Sequence, residues 1–100
     1  MTVVIKTKAE LEQEALEVWR DSAEVTPYQA KVALLRAELL DEVEALMEDP
    51  ATPRETKLAW QFSRMFTRRS PLIAALQGHP TLSLSDEQVD DLFRVAKEVE

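Results

Sequence analysis

The chain is predicted to be all-α: a single compact domain of four to five helices behind a short N-terminal extended arm. Three observations carry that expectation. Helix-start chemistry recurs at Thr7, Thr26, Thr52, Ser70 and Ser85, with proline at the first helical position after the middle three. Between these starts, apolar residues repeat at three- and four-residue spacing, the period of a half-buried helix. The composition is rich in Ala, Leu, Glu, Lys and Arg and holds a single glycine, Gly78, so intrinsic propensity points the same way.

Each element follows from local signals. Residues 1–6 form the arm and residues 7–100 the helical domain. Thr2 to Lys6 is β-prone but too short to be a stable strand alone, so it packs as an arm, pairs with another chain or frays. Thr7 opens the first helix, with Glu10 at the capping-box site. Leu11, Ala15, Val18, Trp19 and Ala23 make its inner stripe, and the helix runs to about Val25. Thr26-Pro27 with Gln29 opens the second. Tyr28, Val32, Leu35, Leu39, Val43 and Leu46 then line one side for about five turns, widened by Leu40 and Met47. Arg36 falls in the same stripe, its head group reaching the edge.

Pro50 stops that helix, and Thr52-Pro53 with Glu55 opens a third that is expected to run to Arg69. Ser70-Pro71 starts a short fourth through Leu72, Ile73 and Leu76. Gly78 suits its C′ position and Pro80 a stop. Ser85 with Gln88 opens the last helix, where Val89, Leu92, Phe93, Ala96 and Val99 keep helical spacing.

Several function classes are disfavoured by composition. There is no cysteine, so no disulfide or thiolate metal site can form, which fits a reducing compartment. No apolar run approaches the ~20 residues of a membrane span. Val3 to Ile5 is too short for a signal-peptide core, so a cytoplasmic location is expected. A net charge of −7 weighs against general nucleic-acid affinity. The lone His79 lacks neighbours of metal-ligating type, and Ser70, Ser83 and Ser85 have no base to activate them. Asp86, Glu87, Asp90 and Asp91 lack a calcium loop's alternating ligands and central glycine, and read as acids favoured by the helix dipole. No catalytic residue, cofactor or metal is predicted, and the chain is expected not to be an enzyme.

The stretch Lys57 to Gln77 stands apart. Residues 53–70 carry five bases against one acid, whereas residues 1–52 carry twelve acids against five bases and residues 71–100 carry six against two. On a helix through Thr52–Arg69, Leu58, Phe62, Met65 and Phe66 form an inward stripe. Trp60 falls roughly 160–200° away, among Lys57, Arg64 and Arg68. Two readings of that indole stand: packing on a second side of a central helix, or partner contact. Trp and Arg are enriched at interface hot spots, and Arg64 is placed to lie over the ring. The bases could equally pair with acids of neighbouring helices or of a second copy.

Trp60, Phe62, the run Arg69-Ser70-Pro71-Leu72-Ile73, Leu84-Ser85 and the run from Gln88 to Phe93 together resemble small proteins of the tail-gene cluster of tailed bacteriophages and prophages. Proteins of this kind are tail proteins or tail assembly chaperones. The resemblance covers about residues 57–96, with motifs of modest specificity. It departs from the pattern in the loop Gly78–Ser85, where a more glycine-rich connection is expected. It implies a non-enzymatic assembly role in a bacterial cytoplasm, with a tail component as partner.

The sequence thus predicts a protein that binds another protein of acidic or amphipathic surface, through Lys57, Trp60, Arg64 and Arg68. Homo-oligomerisation is compatible with this, and no membrane partner is expected. The alternative is a small DNA-associated transcriptional regulator whose third helix lies on phosphates.

Overall fold

Helix starts are the features the chain realises most faithfully. The computed structural model describes residues 5–99 and contains, among them, six helices and one two-stranded sheet. In order these are α1 (Lys8–Ser22), β1 (Glu24–Val25), α2 (Pro27–Arg36), α3 (Leu40–Glu48), α4 (Arg54–Phe62), β2 (Phe66–Thr67), α5 (Pro71–Gly78) and α6 (Asp86–Lys97). The all-α, single-domain expectation holds, with six helices where four to five were predicted. Of the arm, Thr2 to Val4 lie outside the described residues.

Thr26 and Ser85 make full capping boxes with Gln29 and Gln88. Thr7 accepts from the Glu10 amide and Ser70 from the Ile73 amide. Thr52 does not cap α4. Its hydroxyl donates to the Leu46 carbonyl at 2.5 Å, and Pro53 occupies the cap position. Gly78 is the last helical residue of α5 and has no positive φ, so the expected left-handed C′ glycine is absent.

The helix ends depart from the sequence reading in three places, each for a packing reason. The long second helix is two. Glu38 takes φ 62°, the Leu39 amide donates to the Leu34 carbonyl at 2.8 Å and the Glu38 amide to the Leu35 carbonyl at 3.1 Å. This is a Schellman closure with glutamate where glycine is usual. Leu34 and Val43 are nine residues apart, so a straight helix would aim them about 180° from each other. The break lets both enter one core, where both are buried. It leaves Tyr28 and Leu35, expected inside, exposed.

The first helix ends at Ser22 rather than Val25, and the third at Phe62 rather than Arg69. The freed segments pair antiparallel, Glu24 opposite Thr67 and Val25 opposite Phe66, and the Arg68 amide adds a bond to the Ala23 carbonyl at 2.9 Å. Two residues a strand would not persist alone. Here Val25 and Phe66 are among the most deeply buried side chains, so the pairing is held by the core beneath it.

α2 lies along α6, α4 packs on α5, and α3 bridges α2 to α4. α6 buries the face its spacing predicts, through Val89, Phe93 and Ala96. α1 does not follow its prediction. Every residue from Ile5 to Ala15 is exposed, as are Leu11 and Val18 of the expected inner stripe. The helix stands out from the body and is attached by its C-terminal half. The Cα radius of gyration is accordingly 15.8 Å, with a longest extent of 58 Å, against about 13 Å for a compact domain of this length.

Candidate docking surface

Trp60 is not on the surface. It is 9% exposed and stacks on Phe66, ring centroids 5.6 Å apart, while the Lys31 ammonium of α2 lies 5.2 Å from its ring centre. The cation over the indole is therefore Lys31 and not Arg64. Phe66 reaches the ring only because α4 ends four residues earlier. Along a continuous helix the two side chains would diverge by about 120°.

Arg68 is buried as well, in a charged clasp that the sequence reading did not find. Asp90 of α6, 2% exposed, receives Arg20 Nε at 3.1 and 3.2 Å and Arg20 Nη2 at 2.7 Å. Arg68 Nε donates to the same carboxylate at 2.9 Å. Arg68 Nη2 continues to Asp86 Oδ1 at 3.3 Å, and Gln77 Nε2 donates to that oxygen at 2.6 Å. Outside this shell, Arg20 meets Glu17 at 3.2 Å, while Arg69 holds Glu17 and, at 3.2 Å, Asp21. Three separate segments are tied to α6 in this way: the C-terminal half of α1, the end of β2 and, through Asp86, α5.

Burial is the largest single influence on Asp90 and disfavours its charge. The hydrogen bonds and charges of Arg20 and Arg68 together outweigh it and hold the carboxyl below the ordinary range. Asp86 is lowered chiefly by the Gln77 hydrogen bond and then by Arg68, and Glu17 chiefly by the hydrogen bond from Arg69. The Asp90 oxygens are saturated by arginine donors, so the group is built to hold elements together and has little capacity left for a ligand. A buried carboxylate must be paired. On the helical wheel Asp90 falls about 60° past Phe93, outside the apolar arc and beside Asp86 and Lys97, so its spacing gives no sign of burial.

Of the four predicted docking residues, then, Trp60 and Arg68 belong to the interior, Lys57 is half-buried and only Arg64 is exposed. They do not share one exposed face. The helix has the opposite polarity to the one predicted. Leu58 and Phe62, expected inside, are 44% and 68% exposed, and Met65 in the following turn is exposed with them. Arg54 and Lys57 fall along one edge of this stripe by helical spacing, with Arg64 just past the helix end. None of the three takes part in an ion pair among the described residues. α4 therefore carries an apolar stripe with a basic border, on the side away from Trp60.

α1 carries a second such stripe. Leu11, Ala15 and Val18 point to solvent, opposite Arg20 on the helical wheel, and Val18 is 68% exposed. Glu10, Glu14, Glu17 and Asp21 follow one edge at three- and four-residue spacing. Trp19 turns toward α6, where the Arg94 guanidinium lies 4.7 Å from its ring centre.

The cavity at the centre of the core measures about 50 Å³ and is walled almost wholly by apolar side chains, far below the ~300–1,000 Å³ of small-molecule sites. His79 uses Nδ1 to accept the Thr81 amide at 3.1 Å, a loop-closing contact. No helix among the described residues is long and apolar enough to cross a membrane. Comparison with family models, with curated proteins and with solved structures finds no match to this chain.

Proposed function

We propose that the protein works without catalysis, by binding another protein through the stripe Leu58, Phe62 and Met65 bordered by Arg54, Lys57 and Arg64. The observation that supports this most is Phe62, a phenylalanine 68% exposed on a regular helix whose other side already fills the core. Contiguous exposed apolar side chains with a polar border mark contact surfaces. The fitting partner is an amphipathic surface with acidic edges. This keeps the acidic or amphipathic partner inferred from the sequence and moves the docking face around the helix from Trp60 to Phe62.

In the tail-assembly version the partner is a phage tail component, met in the cytoplasm of a bacterial host. That version is supported by the resemblance of residues 57–96 alone. Among the described residues, the DNA-binding alternative has three bases of this region without an ion pair, since Arg68 and Arg69 are engaged with acids. If those three met phosphates, the affinity would fall with salt at a log–log slope near −3 or shallower.

Affinity capture with the wild-type chain, Phe62→Ser and Leu58→Ser separates these readings. A protein retained by the wild type and lost by both variants, at unchanged melting temperature, supports the docking face. Equal retention by all three overturns it, and duplex DNA binding with the stated slope favours the regulator.

A further inference from the structure

The chain carries two exposed apolar helix faces, and their charged borders have opposite sign. On α4 the border is Arg54 and Lys57. On α1 it is Glu10 and Glu14, in the part of the helix that stands clear of the body. Both faces are exposed in the single chain, so neither covers the other. Their lengths also match. At 1.5 Å per residue, α4 is about 14 Å long, and the span Lys8 to Val18 that holds the α1 stripe is about 16 Å.

We infer that a second copy of this chain is the occupant: α1 of one molecule lies on α4 of the next, antiparallel, in a head-to-tail contact. The direction follows from the wheels. In both helices the charged border lies on the N-terminal-to-C-terminal counter-rotating side of the stripe, Glu10 and Glu14 beside Leu11–Val18, and Arg54 and Lys57 beside Leu58–Phe62. Two helices placed face to face bring equivalent edges together only when antiparallel, as like edges meet in antiparallel coiled coils. Leu11 then meets Phe62 and Val18 meets Leu58, which sets Glu10 nearest Arg64 and Glu14 between Arg64 and Lys57. A parallel arrangement would set the two borders on opposite sides of the seam.

The surface area supports an interface of this kind. The chain exposes 7077 Å², whereas a compact monomer of its mass is expected to expose about 5,800 Å². The half of α1 that stands clear of the body contributes to this excess, and its exposed side chains are those a neighbouring molecule would cover. Because the two faces differ, the contact is heterologous, and repetition yields a ring or a filament rather than a closed two-fold dimer.

The inference rests on the docking face proposed above and names its occupant. Three variants test it: Glu10→Lys with Glu14→Lys (α1 face), Lys57→Glu with Arg64→Glu (α4 face), and all four changes in one chain. Sedimentation equilibrium over roughly a hundredfold concentration range reads the outcome. The wild type should gain mass with concentration and do so less at high salt, since exposed charges are screened. Each two-site variant alone should associate at least tenfold more weakly. An equimolar mixture of the two should associate again and grow with concentration, because each α1 face then finds an α4 face of opposite charge on the other chain. The four-site chain should recover association.

A wild type that stays monomeric throughout overturns the inference, as does a two-site variant that associates like the wild type, or a mixture that remains monomeric. Those results leave the docking face itself intact if Phe62→Ser still abolishes capture of a different protein. If Phe62→Ser changes neither capture nor self-association, the docking face fails with it.

Discussion

α6 and α4 are both short amphipathic helices, and they use their patterns in opposite ways. α6 buries the stripe that its spacing marks, against α2, and turns its charges outward except for Asp90. α4 has apolar groups on two sides, Trp60 on one and Leu58 with Phe62 on the other, and the domain has room for one. The indole is taken in because it offers the larger apolar area and finds both a stacking partner in Phe66 and a cation in Lys31. The periodic signal says that a helix has a distinct apolar side. It does not say which of two such sides the rest of the chain will meet.

The comparison is broken most severely at the one charged group that α6 buries. Asp90→Ala leaves Arg20 and Arg68 facing each other without a counter-charge. Removing one partner of a buried ion pair costs about 3–5 kcal/mol, which for a domain of this size lowers Tm by more than ~12 °C. Chemical denaturation and a thermal melt should both register it, and α1 should lose protection from hydrogen exchange along with β2. A drop of less than ~4 °C would mean that the clasp does not join these elements.

Acid should act on the same point more gently. Asp90 ionises below its ordinary range when folded, so its contribution is complete above the unfolded value near 3.9 and is lost as pH falls through the lower folded value. Urea unfolding of the wild type and Asp90→Asn should show a constant gap between pH 7 and pH 5. Below about pH 4 the gap should narrow. A gap that widens on acidification contradicts the pairing.

The mildest change lies where the second helix divides. Glu38 sits at φ 62°, a region that costs a non-glycine residue roughly 1 kcal/mol or more. Glu38→Gly should raise stability by up to ~1 kcal/mol, less what glycine gains in the unfolded chain. A loss of stability would place the α2–α3 joint in a different conformation.

Much of the fold was legible because helix starts are local. A hydroxyl and a glutamine three residues on specify Thr26 and Ser85, with Pro27 adding to the first, without help from the rest of the chain. Helix ends were less visible where tertiary contacts set them. Nothing around Ser63 or Ala23 announces a stop. Those helices end because Phe66 and Val25 gain more from the core than from another turn. Arg20 and Asp90 are seventy residues apart and each looked like an ordinary surface charge. The docking face differs from the expected one for a related reason: sequence spacing leaves open whether the bases pair with neighbouring acids, and it does not show that Arg68 is committed to Asp90 or that the cation over Trp60 is Lys31 of another helix.

The polarity of α4 is the central claim, and paired thermal melts of Trp60→Ala and Phe62→Ala test it directly. Truncating a buried tryptophan costs about 3–5 kcal/mol, whereas an exposed side chain away from such contacts changes stability by about 0.5 kcal/mol or less. The expected result is a Tm more than ~12 °C lower for Trp60→Ala and within ~4 °C of wild type for Phe62→Ala. The reverse order, with Phe62→Ala the more damaging change, would turn the helix around and contradict the account.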